Sequence, residues 1–305
     1  MGIERLKFAA ILFAAALLAG GCRAGAIPRA RAGAQRIVSL APSVTESLFA
    51  IGAGAQVVGV SQYCDYPPAA RKLPRVGTFL TPNIEAIAAL RPTVVIGPLT
   101  SADLREMRAL RAMGITTVAV GSDDSIAQIE HSIWQIGNQT ARAGAARRLL
   151  AEIRLRMRST QERLNGRPMR SVLMVVGHQP MVAVGRGTYL DELLALARGA
   201  NIADASAQAW PRLSLEYIIA SRPDVILDGQ MGTDPSTPDS FWRKYPSIPA
   251  VKNHRVYGYP EDPTLHPGPR IGSTLEILAR LIHPEAFPTR ELPPKSMAPM
   301  GEASQ

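Results

Sequence analysis

A chain of 305 residues exceeds the usual size of one domain, so two domains are the starting expectation. The hydrophobic share of 46% is enough for packed cores. The net charge of +9 comes from arginines scattered along the whole chain without a basic–aromatic cluster, so it reads as the mark of a basic proteome or periplasm rather than a nucleic-acid surface.

The first 22 residues read as an export signal. Arg5 and Lys7 supply positive charge, and Phe8 to Leu18 is an apolar run too short to span a membrane comfortably. Ala19-Gly20-Gly21-Cys22 resembles a lipoprotein signal, in which Cys22 becomes the acylated first residue; ordinary cleavage after Ala24-Gly25-Ala26 is the rival. If Cys22 carries lipid, Cys64 has no intramolecular partner, and it reads as a loop filler more than a nucleophile. Residues 23–35 are small and basic, as in a flexible tether.

Residues 36–137 predict a first α/β lobe. Arg36 to Leu40 is a strand, and Ser43 with Glu46 three places on predicts a capping box for a helix that ends at Gly52. Gln56 to Val60 is the next strand. Ser61 to Pro68, with Tyr63 and Tyr66, is an irregular loop. A helix over Ala102–Met113 and a strand over Ile115–Val120 complete an alternation that argues for a parallel sheet. Residues 138–166 predict one long helix of about 40 Å, a rigid spine between lobes.

Residues 167–285 predict the second lobe. Ser171 to Val176 is a strand that exits through His178-Gln179-Pro180. Thr188 caps a helix through Leu196, and Gly229 to Ser240 is a polar loop. His254 to Gly258 is a late strand, Glu261 to Arg270 a long loop, and Ile271 to Ile282 the last helix. Residues 286–305 are rich in Pro, Ser and Met and predict disorder.

One segment occurs twice. Asn83 to Ile96 is matched by Ser214 to Leu227, with Glu, Ile, Ala, Arg, Pro and Val coinciding. Asn83 and Ser214 are N-caps, Glu85 and Glu216 sit in the first turn where the helix dipole favours an anion, and Arg-Pro ends each helix ahead of a buried strand. An aromatic stands four residues before each copy, Phe79 and Trp210. These two rings admit a core or a cleft reading, and the matched position favours the cleft. The two glutamates admit a plain surface role or a pair of contacts for a two-fold symmetric partner.

Strand exits place Tyr63, Gln179 and the loop from Asp262 to His266 where α/β sheets bind ligands. No histidines fall at metal-ligand spacing, so no metal site or cofactor is predicted. His266 reads either as an axial ligand to a macrocycle metal or as a hydrogen-bonding loop residue. Hydrolase, phosphate-loop and dinucleotide fingerprints are absent, and no clustered acid–base set supports an enzyme such as a chelatase-like catalyst.

The runs Arg36–Glu46, Val57–Val60, Tyr63–Pro68, Asn83–Glu85 and Trp210–Glu216 resemble periplasmic cobalamin-binding proteins, the receptor subunits of vitamin-uptake ABC transporters. The resemblance covers about Arg36 to Pro284. It implies two Rossmann-like α/β lobes with parallel sheets joined by a long helix, a class III periplasmic binding protein with little hinge closure, and a monomer. It implies cobalamin or a related corrinoid as ligand, with Tyr63, Phe79, Trp210 and the loop from Asp262 to His266 at the ligand, beside Gln179 from the strand-exit reading, although His266 stands where an arginine is familiar. Haem and ferric-siderophore receptors share the superfamily. The resemblance also implies that Glu85 and Glu216 meet arginines of a dimeric permease that carries ATPase subunits, with the receptor held at the membrane by its lipid anchor.

Overall fold

In a computed structural model, residues 35–101, 104–121, 124–229 and 241–287 are described. The signal segment with Cys22, nearly all of the tether, most of the Gly229–Ser240 loop and residues 288–305 lie outside them.

The first lobe is built on a four-stranded parallel sheet in the order β2-β1-β3-β4, comprising β1 (Ile37–Ser39), β2 (Val57–Val60), β3 (Val94–Pro98) and β4 (Thr116–Val120). Alternate side chains serve opposite faces. Ile37, Val94 and Ile96 pack with α1 (Pro42–Ala50) through Val44 and Leu48. Val38 and Val95 pack on the other side with Ile87 of α2 (Ile84–Ala89) and Met107 and Leu110 of α3 (Arg105–Ala112). A sheet covered on both faces is why its strands read as continuous apolar runs.

The helix between the lobes begins later than the sequence suggests. Residues Ile126–Gln139 form a separate helix, α4, and the spine α5 runs Ala143–Arg163. Its 21 residues span about 32 Å at 1.5 Å per residue. The break falls at Ala141, which adopts a left-handed φ of 54°. Gly137 lets α4 press against α5, since a Cβ there would stand 2.4 Å from the Ala146 methyl.

The second lobe carries a five-stranded sheet: β5 (Arg170–His178), β6 (Met181–Ala183), β7 (Gly199–Asn201), β8 (Val225–Asp228) and β9 (Val256–Gly258). Here the parallel expectation needs one amendment, because β6 folds back on β5 as an antiparallel hairpin. Val172, Met174, Val225 and Leu227 face α6 (Tyr189–Leu196) and α10 (Ile271–Ile282). Leu173, Val175 and Ile226 face Ile218 of α7 (Leu215–Ser221), Trp242 and Ile248 near α8 (Pro249–Lys252).

One buried cluster runs without interruption from Val44, Leu48 and Ile133 through Ile153 and Met157 of the spine to Leu275 and Leu278. The lobes thus share a core through α5. The chain remains packed through Phe287, whose ring lies under the guanidinium groups of Arg163 and Arg280. Among the described residues no helix is long and apolar enough to cross a membrane.

Candidate functional site

The carboxyl ends of the first sheet open into a cavity of about 320 Å³. Ala41 and Ser43 follow β1, Tyr63 follows β2, Pro98 ends β3 and Thr100 follows it, and Gly121 follows β4. From β1 the chain crosses outward to β2 on one side, while β3 lies on the other, so the cavity sits at the topological switch point. The second lobe closes it with Leu265, His266 and Pro267.

Two turns place the aromatic wall. Phe79 rides a tight turn in which the Thr78 and Thr81 hydroxyls lie 2.8 Å apart and Gly77 bridges to Pro82. Gly77 has φ of +87°, and a Cβ there would stand 2.5 Å from the Thr81 carbonyl, so only glycine closes this turn. Tyr63 projects from a loop held from beneath. Arg75 donates from Nη1 to the carbonyls of Ser61 (2.9 Å) and Cys64 (3.0 Å), and from Nη2 to Asp65 Oδ1. Cys64 is fully buried, its sulfur 3.0 Å from the Ser61 hydroxyl and within reach of the Thr45 hydroxyl, and burial pushes its thiol pKa up. It is a packing residue of the loop.

The opposite wall departs from the sequence expectation. Glu261 to Leu265 is not loop but one helical turn, α9 (Glu261–Leu265). Behind it lies a charge cluster that joins the lobes. Arg270 donates from Nε to Glu46 Oε2 at 2.7 Å and from Nη2 to Glu46 Oε1, and from Nη1 to Asp262 Oδ2 at 2.6 Å. Its guanidinium also lies 4.5 Å from the ring centroid of Tyr66, a cation–π contact between lobes. The carboxylate of Glu46 is 1% exposed. Burial pushes its pKa from 4.5 to about 7, against the pull of Arg270. The capping box expected of Ser43 and Glu46 is absent, because the helix starts two residues earlier, with Ala41 as N-cap and Pro42 in its first turn. Pro42 is the sequence signal for that start, and it turns Glu46 inward to Arg270.

His266 follows α9. Its Nδ1 is buried and lies 3.2 Å from Asp262 Oδ1 and 3.8 Å from Glu46 Oε1, without the alignment of a hydrogen bond. Burial is the largest influence on its pKa and holds it below the usual imidazole value.

Of the residues singled out from sequence, the cavity therefore gathers Tyr63, Phe79 and His266. Asp262 stands directly behind His266. Trp210 is 46% exposed and outside the cavity lining, on a segment that accepts hydrogen bonds from the amides of Ala183 in β6 and of Gly185 just beyond it. Gln179 is exposed at the β5–β6 turn. Glu85 and Glu216 are exposed in the first turns of α2 and α7, and the helix-terminal backbone amide of Glu216 holds its carboxyl below the usual range. Sequence reading does not find Arg270, Tyr66 or Glu46 as a unit, since they come together from 224 residues apart. It also does not find the pair His178–Asp228. His178 Nε2 lies 2.8 Å from Asp228 Oδ1, and Trp242 Nε1 donates to Asp228 Oδ2 at 2.7 Å.

Comparison with known proteins agrees with this arrangement. The periplasmic binding protein family model matches residues 37–263. The chain is 31% identical over 261 residues to the ABC transporter substrate-binding lipoprotein YvrC of Bacillus subtilis, covering 83% of this chain and 81% of the relative. It is 29% identical over 245 residues to the vitamin B12-binding protein of Vibrio cholerae, covering 80% and 87%. The periplasmic heme-binding protein RhuT of Roseiflexus, in its apo form, superposes with a TM-score of 0.74 at 29% identity, covering 84% of this chain and 100% of that one.

Proposed function

Because the chain belongs to the periplasmic binding protein family, whose members are extracytoplasmic substrate-binding receptors of ABC transporters rather than enzymes, we propose that its ligand is cobalamin or a related corrinoid. The ligand would be captured in the inter-lobe cleft and handed to a permease. The observation that carries the reading is the pairing of two aromatic side chains of one lobe, Tyr63 and Phe79, with an imidazole of the other in a single open cavity. Flat apolar surfaces with few polar groups suit a large, partly apolar ligand. A corrinoid is larger than the 320 Å³ enclosed, so it would project from the mouth. The vitamin B12-binding relative supports this ligand.

Haem is the second reading, favoured by the equal identity and complete coverage of a heme-binding relative. Glu85 and Glu216, one on each lobe at equivalent helix starts, suit a two-fold symmetric permease partner. Cys22 would carry the lipid that keeps the receptor at the membrane. Equilibrium dialysis of the full chain against cyanocobalamin, ferric haem and a ferric siderophore, each alone, ranks the ligands. Retention of cyanocobalamin at micromolar concentration is expected, and its absence alongside retained haem would reassign the receptor.

A further inference from the structure

We propose that the segment directly after Phe287, residues 288–294, docks in a groove between the spine helix α5 and the last helix α10 and straps the two together. Docking there is independent of which ligand the cleft takes.

The groove encloses about 510 Å³, more than the cleft cavity, and none of its lining residues lines the cleft. One wall is a single face of α5: Glu152, Leu155, Arg156, Ser159, Thr160 and Arg163 follow the three-and-four spacing of one helical stripe. Glu276 of α10 and Phe287 form the other wall. Arg156 ties the helices together by donating from Nη1 to Ser273 Oγ at 2.5 Å. Leu155 is 61% exposed, the most exposed large apolar side chain among the described residues. A lone exposed leucine is ordinary on a flat surface. This one lines a concavity, where an apolar side chain laid against it would leave water on two sides at once.

Place, reach and chemistry single out the occupant. Phe287 is itself part of the wall, its ring centroid 5.7 Å from the guanidinium carbon of Arg163, so the chain is already at the groove where the following segment starts. Leu155 lies eight residues before Arg163, about 12 Å along the helix axis. Leu292 lies five residues after Phe287, and an extended chain of that length reaches about 16 Å. Pro288, Pro293 and Pro294 favour the extended form. Apart from those prolines, Leu292 is the one apolar side chain between Phe287 and Lys295. Beside it, Arg290 and Glu291 bring one charge of each sign to a groove in which Glu152 and Glu276 stand with Arg156 and Arg163. Docked, Leu292 covers Leu155, Arg290 faces the carboxylates and Glu291 the guanidinium groups.

Thermal melting of the full chain and its variants, with trypsin cleavage after Arg290 as a second readout, tests the docking. Leu155→Ala and Leu292→Ala should each lower the melting temperature by about 2–4 °C. The double variant should fall no further than the larger single shift, because both changes remove the same contact. Trypsin should cut wild-type protein slowly after Arg290 and cut both single variants there several-fold faster. Unchanged melting in Leu292→Ala, or single shifts that add in the double variant, would overturn the docking. So would wild-type protein cut after Arg290 as fast as Leu292→Ala. A melting temperature that rises with protein concentration in wild type and Leu292→Ala alike, but not in Leu155→Ala, would also overturn it, since the groove would then hold a second copy of the chain.

Discussion

Glu46 is a carboxylate buried at the boundary between lobes, and it is tolerable only while a cation faces it. Arg270 supplies that cation with a bidentate fork from the other lobe. Removing the cation alone should therefore cost more than removing both charges. Arg270→Met is expected to destabilise the protein by about 3–5 kcal/mol, and adding Glu46→Gln to recover part of that loss, as read by chemical denaturation. The pH dependence follows from the raised carboxyl. Between 4.5 and about 7 the folded state holds a proton that the unfolded state has released. The Glu46 contribution to unfolding free energy then falls as pH rises through this window, and it is constant above and below. Glu46→Gln should flatten that slope; an unchanged slope would mean that another group titrates. Little of this was legible beforehand. Ser43 and Glu46 have the spacing of a capping box, and only the preference of proline for the first helical turn argues otherwise.

Helix caps were far more legible, because they are local. Asn83, Thr188 and Ser214 each accept a hydrogen bond from the amide three residues on. In the repeated segment the Arg-Pro stop takes a specific form: Arg91 and Arg222 both turn left-handed, with φ of 46° and 49°. A residue before proline leaves the helical region, and here it leaves to the left. Arg36 then covers the exposed carbonyls of Leu90 and Arg91 with its guanidinium. Asn83→Ala and Ser214→Ala are each expected to cost about 1 kcal/mol and to add when combined, since they lie in different lobes. Urea denaturation of the two single variants and the double checks both figures. The strands that sequence did not reveal, β6 and β7, have three residues each. They owe their extension to pairing with β5 rather than to any periodicity of their own.

At the scale of the molecule, the two-lobe plan was readable because the helix–Arg-Pro–strand segment recurs and the central strands β3, β5 and β8 carry apolar runs. The length of the spine was not, since Thr140 to Arg142 breaks the helix with no glycine or proline to announce it. The cavity was half readable. Tyr63 and Phe79 could be placed from strand exits, but whether Trp210 joins them depends on how β6 carries its segment, which is a long-range pairing. A core continuous through the spine favours docking as a rigid body. Reversing both Glu85 and Glu216 to lysine should therefore leave ligand affinity unchanged and abolish stimulation of the transporter's ATPase in reconstituted vesicles. A loss of ligand affinity instead would place the two glutamates in the cleft.

The central claim is that the cleft between the lobes holds the ligand. Titration calorimetry of the full chain with cyanocobalamin tests it most directly. The account predicts one ligand per chain in wild-type protein, and heat lost when Tyr63 and Phe79 are both replaced by alanine in a variant that keeps the wild-type melting transition. Undiminished one-to-one binding in that variant would contradict it, because the ligand would then lie somewhere other than this cavity.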